Sequence, residues 1–204
     1  MVMRMNAEFE GGEIPGQSSE TATKRSLSGC FEWVGVFLIA FAVFALVRTF
    51  IVSPFMVPSG SMEPTIQIGD NVFAEKVSAL FGSEPEIGDI VVFDNPVADS
   101  EHDILVKRVV ARAGQTVDLI DGSLYVDGVA MDEPYAVGSS YPLDLVAPGV
   151  SVSFPYTVPE GCVWVMGDNR ENSADSRYFG PVPKDNIIGT VFFRYWPMSR
   201  IGPM

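Results

Sequence analysis

The hydrophobic and polar positions of this chain change pattern twice along its length. Residues 1–29 are rich in Glu, Gly, Ser and Thr without apolar periodicity, which predicts a disordered tail. Residues 33–47 are uncharged and apolar, and residues 30–52 reach the length of about 20 that a membrane-spanning helix needs. From residue 53 onward the apolar runs are short. The pattern predicts a tail, an anchor over 30–52 and a folded domain over 53–204.

The apolar segment has two interpretations, an uncleaved anchor and a cleavable signal peptide. A signal peptide has a short charged leader and small residues after its apolar core, whereas here the leader is long and the sequence RTFIV follows the core. We therefore favour a single-pass anchor in the cell membrane. Lys24 and Arg25 precede the apolar run and Arg48 follows it, and this excess of positive charge before the run predicts a cytoplasmic N-terminus and a body on the outer face.

The body reads as β-structure. Runs rich in β-branched and aromatic residues, bounded by turn residues, predict strands in NVFAEKV, DIVVFD, DILVKRVVA, TVDLI, LYVDG, CVWVM and IIGTVFFRYW. Asp121-Gly122 predicts the turn of a hairpin, and residues 131–160, with many Pro, Gly, Ser and Tyr, predict an irregular insertion. The predicted fold class is mainly β, an antiparallel sheet or partly open barrel preceded by one N-terminal transmembrane helix.

Charge and composition exclude several function classes. Residues 53–204 contain 9 Lys and Arg against 21 Asp and Glu, and such an acidic domain repels phosphate backbones, so we expect no nucleic-acid partner. Cys30 lies at the edge of the apolar segment and Cys162 in a later predicted strand, so we expect no disulfide between them. Two lone thiols do not supply the four clustered ligands of a zinc site. His102, the only histidine, lies between two acidic residues and is interpreted as a solvated loop residue. A Ser-His mechanism, a metal and a cofactor are therefore not expected.

The segment FMVPSGSMEPT, residues 55–65, contains the first candidate chemistry. It sets Ser59 and Ser61 two positions apart within a frame of prolines, with Gly60 between them. Such stiff surroundings indicate either a tight turn or a hydroxyl that is held for nucleophilic attack. The choice depends on a base that can take the proton of the hydroxyl.

Lys107 is the candidate base. In the predicted strand ILVKRVV, Leu105, Lys107 and Val109 project to one face and Arg108 to the other. Aliphatic neighbours disfavour the ammonium form and lower the pKa of the amine, which makes a lysine usable as a general base near neutral pH. The alternative is a lysine whose stem packs while its charged head reaches water. The strand pattern leaves both possibilities open.

A third segment, MGDNRENSADSRYFGPVP at 166–183, is dense in groups that form hydrogen bonds. Asp175 and Arg177 offer an ion pair, and Ser173 offers a hydroxyl that can orient a neighbouring amine. The turn chemistry of Asn, Asp and Ser is an alternative explanation of the same residues. The segment alone therefore does not separate a site from a structural loop.

Together and in this order behind an anchor, the three segments resemble bacterial type I signal peptidases, also called leader peptidases. These are membrane-bound serine proteases with a Ser-Lys dyad. SPFMVPSGSMEPTI is similar to the nucleophile segment of the family, LVKRVVARAG to its lysine segment, and GDNRENSADSRYFGPVP to its third segment. The sequence ARAGQ departs from the Gly-Leu-Pro-Gly-Asp type turn usual in the family, and 131–160 is shorter than the subdomain that some relatives carry.

By matched position, the resemblance implies that Ser61 is the nucleophile and Lys107 the general base. It implies that Ser59 and the Ser61 backbone N–H form the oxyanion hole, and that Ser173 orients the Lys107 amine. The residues implied as structural supports are Asp175 and Arg177, and those implied to line the substrate pockets are Phe55, Val57, Pro58, Ile66, Leu105 and Val106.

The activity implied by the resemblance is removal of signal peptides from exported preproteins after a small-x-small site such as Ala-x-Ala, through an acyl-enzyme. The implied partners are exported preproteins, membrane lipid and the secretion translocon. Two alternatives stay open, a maturation protease specialised for one exported or conjugative substrate and a non-catalytic anchored binding domain. A self-cleaving repressor, which shares the dyad, is disfavoured by the anchor and the acidic charge.

Overall fold

The computed structural model describes residues 20–97 and 103–204, and within those ranges the side chains from Glu32 onward. The chain divides into two units between Ala45 and Leu46. The first unit is helical where it is described, and the second carries the β-structure. The predicted chemistry therefore falls within the second unit.

Helix α1 spans Glu20–Phe50, and its segment Glu32–Phe50 is long and apolar enough to cross a membrane. The helix includes residues 20–29, which corrects the prediction of disorder there, because adding residues to an existing helix needs no new nucleus. The rest of the predicted tail lies outside the described residues. The helix ends before residue 52, the predicted end of the anchor, since the β-branched pair Ile51-Val52 favours an extended chain.

Twelve strands occur in the described residues. They are β1 Val52–Met56, β2 Asn71–Glu75, β3 Ile90–Asp94, β4 Ile104–Arg112, β5 Thr116–Ile120, β6 Ser123–Val126, β7 Val129–Ala130, β8 Tyr156–Thr157, β9 Cys162–Met166, β10 Val182–Pro183, β11 Ile187–Trp196 and β12 Gly202–Pro203. The short helices are α2 Val77–Leu80 and α3 Ser176–Phe179.

The strands form two antiparallel sheets. The larger sheet has the order β1-β2-β11-β3-β4-β9-β10, with β12 also paired to β11, and the smaller has the order β7-β6-β5-β8. The mainly β fold class with an N-terminal apolar helix is therefore confirmed. The order brings β4, which carries Lys107, between β3 and β9, and the third predicted segment follows directly from β9.

Strand β3 is buried on both faces, which explains its continuous run of apolar residues. Val91 and Phe93 belong to one core cluster, and Ile90 and Val92 belong to a second cluster that also contains Met62. Alternate residues of a strand point to opposite faces, so a strand between two apolar layers has no polar positions to show. The second cluster lies under the segment that contains Ser61.

Candidate active site

Ser61 lies in the loop that connects β1 to β2. The loop is closed at its base by the Val57 N–H, which donates to the Asp70 carbonyl over 2.9 Å. Within the loop, Met62 and Ile66 are fully buried in the core, and the Ile66 N–H donates to the Met62 carbonyl. These two apolar side chains fix the turn from below. They leave Ser61, the residue before Met62, at the edge of the core.

Lys107 lies beside Ser61, with its Nζ 2.6 Å from the Ser61 Oγ. The Nζ also donates to the Val106 carbonyl over 3.1 Å. Only 3% of Lys107 is exposed, which excludes the alternative of a head group in water. Burial lowers the pKa of the Lys107 amine to about 8, although the carboxylates of Asp175 and Asp168 act to raise it. A usable fraction of the amine is therefore neutral near physiological pH.

The reactive pair opens onto a cavity of about 110 Å³ with mainly apolar walls. The residues that line it are Met56, Val57, Pro58, Ser59, Ser61, Met62, Ile104, Leu105, Val106 and Lys107. Ser59, the predicted side-chain donor to an oxyanion, thus shares one cavity with Ser61 and Lys107. The arrangement places a hydroxyl and an amine at one wall of an apolar pocket.

Four of the six residues predicted to line the substrate pockets line this cavity, namely Val57, Pro58, Leu105 and Val106. The structure places the other two elsewhere. Ile66 is fully buried in the core beneath the loop, and Phe55 packs against the same core. Phe55 and Met56 are neighbours in β1 and therefore point to opposite faces, and it is Met56 that lines the cavity.

Asp175 and Arg177, the two predicted supports, form a buried bidentate ion pair. The Nε and Nη2 of Arg177 each lie 2.9 Å from a carboxylate oxygen of Asp175. Asp175 also accepts the N–H of Gly167 over 3.0 Å, and Arg177 donates to the Arg170 carbonyl over 2.6 Å. The pair therefore ties the segment that follows β9 to itself through Gly167 and Arg170.

Ser173 does not make the predicted contact with Lys107 in this structure. Its Oγ is buried and has no hydrogen-bond partner among the described residues. The side chain packs instead against Gly167, where an added Cβ would overlap Ser173 and lie 2.5 Å from the Ser61 carbonyl oxygen. Lys107 meets Ser61 and Val106 instead. Ser173 is therefore near the nucleophile segment but unpaired.

A buried ion pair between Arg108 and Asp168 was not predicted from the sequence. Two guanidinium nitrogens of Arg108 lie 2.9 and 2.7 Å from the Asp168 carboxylate, and a third donates to the Gly88 carbonyl over 2.7 Å. The Tyr135 ring stacks on the guanidinium at 4.0 Å. The alternation of side chains along β4 predicted that Arg108 points to the face opposite Lys107. A cation buried on that face requires a partner, and Asp168 is that partner.

Arg170 ties the irregular insertion to the same loop. Its guanidinium forms a bidentate pair with Glu133, with N–O distances of 2.6 and 2.9 Å, and also donates to the Ser140 hydroxyl. Its Nε donates to the Gly167 carbonyl over 2.9 Å. The insertion therefore takes part in holding the loop after β9. Nothing in its composition indicated this contact.

No group of three or more His, Cys, Asp or Glu side chains that could hold a metal ion occurs within residues 20–97 and 103–204. Cys162 is a free thiol. His102 and the side chain of Cys30, for which we predicted a solvated loop position and no disulfide, lie outside the described residues.

Comparisons with known proteins agree on one family. The profile of the family described as signal peptidase, peptidase S26, matches residues 30–196. Signal peptidase I of Bacillus licheniformis is 36% identical over 91% of this chain and 97% of its own length. Thylakoidal processing peptidase 1 of Arabidopsis thaliana is 39% identical over 86% of this chain, but this chain spans only 51% of that protein. A crystal structure of a signal peptidase I from Enterococcus faecalis V583, 32% identical, covers 52% of this chain and 96% of its own with a TM-score of 0.39.

Proposed function

Because the chain belongs to the signal peptidase family, peptidase S26, we propose that it is a serine endopeptidase that removes signal peptides from exported preproteins. The observation that carries this proposal is the 2.6 Å separation between the Ser61 Oγ and a buried Lys107 Nζ of lowered pKa. Burying an amine without a carboxylate partner opposes folding, so a domain that only binds exported chains gains nothing from it.

The first chemical step is attack on the carbonyl carbon of the scissile bond. Neutral Lys107 takes the proton of the Ser61 hydroxyl, the Oγ–C bond forms, and the carbonyl electrons move to the oxygen. When the tetrahedral intermediate collapses, the C–N bond breaks and the leaving amine takes the proton from Lys107. The products are the released mature chain and a signal peptide esterified to Ser61.

Ser59 and the Ser61 backbone N–H are the proposed donors to the oxyanion. Both residues line the cavity that contains the reactive pair. The Ser61 N–H has no hydrogen-bond partner among the described residues, so it is free to bind a developing negative charge. Fixed donors at such a position stabilise the transition state by about 3–4 kcal/mol each.

Ser173 fits the role of an acceptor for the lysine during the reaction. A neutral amine that receives the Ser61 proton has two N–H groups of its own, and the ammonium then has three. The Ser61 Oγ and the Val106 carbonyl account for two contacts of Lys107. We assign the third acceptor to the unpaired Ser173 Oγ, which makes no hydrogen bond among the described residues. Asp175 and Arg177 hold the loop from which it acts.

Hydrolysis of the acyl-enzyme repeats the chemistry with water. Lys107 takes a proton from a water molecule while the water oxygen attacks the ester carbon. When the intermediate collapses, the Ser61 Oγ leaves and receives that proton from Lys107. The free enzyme is regenerated and the signal peptide carries the new carboxylate. No step needs a metal or a cofactor, because the protein supplies the base, the nucleophile and the oxyanion donors.

The size of the cavity is consistent with a small-x-small cleavage site. At about 110 Å³, with Val57, Leu105 and Val106 among its walls, it suits a side chain such as that of Ala. An extended substrate sends alternate side chains to one side, so two small residues separated by one position would face these walls together.

The helix Glu32–Phe50 is the proposed single-pass anchor. We assign the N-terminal side to the cytoplasm because Lys24 and Arg25 precede the span and only Arg48 lies near its other end. The β-domain then meets preproteins on the outer face as they emerge from the translocon, with lipid around the anchor. In this orientation the active site lies on the side of the membrane to which the preproteins are exported.

Cleavage of a preprotein with an Ala-x-Ala site by the detergent-solubilised full chain tests the proposal. The variants are Ser61→Ala, Lys107→Ala and the control Lys184→Ala, and they are compared with the parent. Lys184 is a partly exposed lysine that pairs with Glu84 outside the site. We expect the parent and the control to cut after the second small residue and both dyad variants to lose several orders of magnitude in rate. A folded parent that leaves the preprotein intact would overturn the proposal.

A further inference from the structure

Asn169 donates to the nucleophile segment from its backbone N–H and from its side-chain amide. Its backbone N–H donates to the Ser61 carbonyl over 3.1 Å, and its side-chain Nδ2 donates to the Gly60 carbonyl over 3.2 Å. The two accepting carbonyls belong to consecutive residues. Asn169 therefore restrains two consecutive peptide units. Its side chain binds the carbonyl of the Gly60–Ser61 unit, and its backbone N–H binds the carbonyl of the Ser61–Met62 unit.

The Gly60 carbonyl and the Ser61 N–H are the two ends of one peptide unit. A trans peptide is planar, so its C=O and N–H point in opposite directions and turn together. A bond that fixes the direction of the Gly60 carbonyl therefore also fixes the direction of the Ser61 N–H. Glycine is the residue least able to restrain such a rotation by itself, because it lacks a Cβ.

We propose that Asn169 is a positioning residue that aims the Ser61 N–H at the oxyanion through the Gly60–Ser61 peptide. The inference rests on the proposed function and names a residue through which the oxyanion hole is set. The hydrogen bond to the Gly60 carbonyl also polarises the peptide, which makes the Ser61 N–H a stronger donor. Asn169 does not touch the substrate in this role.

The backbone around Asn169 is braced on both sides. The Val137 N–H donates to the Asp168 carbonyl over 2.8 Å, and the Arg170 N–H donates to the Val137 carbonyl over 2.9 Å. The side chains of the two neighbours are held in buried ion pairs, Asp168 with Arg108 and Arg170 with Glu133. A residue fixed in this way can add its restraint to the Gly60–Ser61 peptide, whose carbonyl also accepts the Glu63 N–H over 3.2 Å within the loop.

Steady-state kinetics of the detergent-solubilised full chain test this role. Asn169→Ala and Asn169→Leu both remove the side-chain donor, and Asn186→Ala is the control, since Asn186 makes the same kind of bond to the Asp94 carbonyl elsewhere. We expect kcat to fall about 10- to 100-fold in both Asn169 variants, with KM and the pH midpoint of kcat/KM unchanged. The Leu variant keeps the volume of the side chain, so the test survives if the Ala variant does not fold.

A peptide aldehyde supplies an independent readout. The Ser61 Oγ adds to the carbonyl carbon of the aldehyde, and the resulting hemiacetal oxygen occupies the oxyanion position. The affinity of the aldehyde for the two Asn169 variants should therefore fall by the same factor as kcat. Parent-like kcat and aldehyde affinity in folded Asn169 variants would overturn the inference while leaving the protease intact. A shifted pH midpoint would also overturn it, because it would mean that Asn169 acts through Lys107. An inactive parent would instead defeat the proposed function itself.

Discussion

The Ser173 side chain lies against the Cα of Gly167, in the space that a Cβ on residue 167 would occupy. On its other side, that same space borders the carbonyl oxygen of Ser61, 2.5 Å from where the Cβ would be. The loop after β9 can therefore lie this close to the nucleophile segment only because residue 167 is a glycine and has no side chain. The N–H of Gly167 is meanwhile held by Asp175 over 3.0 Å, so the glycine has little freedom to move away.

Gly167→Ala should consequently disable the enzyme by sterics alone. The new methyl group must push Ser173 or the Ser61 backbone aside, and a shift of about 1 Å at the reacting atoms costs about 100-fold in rate. Overpacking should also lower the free energy of unfolding by about 1–3 kcal/mol. Preprotein cleavage and chemical denaturation measure the two effects. Gly202→Ala, where an added Cβ meets nothing within 4 Å, is the control, and equal kinetics in both variants would contradict the prediction.

Ser173→Ala should separate stability from activity. The buried Ser173 hydroxyl has no partner among the described residues, and such a group costs about 1–3 kcal/mol. Its removal should leave the free energy of unfolding equal or higher. If Ser173 accepts a hydrogen bond from Lys107 during the reaction, kcat should nevertheless fall at least about tenfold. A Ser173→Ala variant that is less stable would contradict the expected effect on stability, and one that is fully active would contradict the expected loss of kcat.

The pH dependence of cleavage should follow the ionisation of Lys107. Since the pKa of its amine is about 8, the neutral fraction at pH 6 is about 1%, and kcat/KM should fall about tenfold per pH unit below about pH 7. The rate should reach a plateau above about pH 9. Full activity at pH 5 would show that the base is not a neutral lysine.

The features that sequence could predict are those set by neighbouring residues. The Asp121-Gly122 turn is one, because both residues adopt positive φ, 50° and 79°, and connect Ile120 to its partner Ser123 in a two-residue hairpin. The apolar face of β4 around Lys107 is another, since its flanking aliphatic residues indicated that face, although they left open whether the amine itself is buried. In both cases the physical cause lies within a few positions of the chain.

The features that sequence could not predict depend on contacts between distant segments. Arg108 and Asp168 are 60 positions apart, and only the register of β4 on β9 brings them together. Asn169 lies in a segment where Asn also serves turns, so its contact with Gly60 had no local signal. Ile66 is apolar like the cavity walls, and the turn of the loop alone directs it to the core.

Lys107→Met should change the pH dependence of stability, not only activity. The pKa of Lys107 is about 8 in the folded chain and 10.5 as its ordinary value, so below pH 8 the buried charge opposes folding by about 3 kcal/mol. Between pH 8 and 10.5 the unfolded chain binds the extra proton, and the stability that Lys107 contributes therefore rises with pH until this penalty has vanished.

The advantage in unfolding free energy of Lys107→Met over the parent should consequently be largest at pH 7 and shrink by about 3 kcal/mol on going to pH 10.5. Packing differences between Met and Lys do not titrate, so the change with pH isolates the ionisation from them. Chemical denaturation of the full chain in detergent at several pH values measures it, with Lys184→Met as the control for an ion-paired lysine outside the site. A gap between parent and variant that stays constant from pH 7 to 10.5 would mean that Lys107 keeps its ordinary pKa, and the neutral-lysine mechanism would lose its basis.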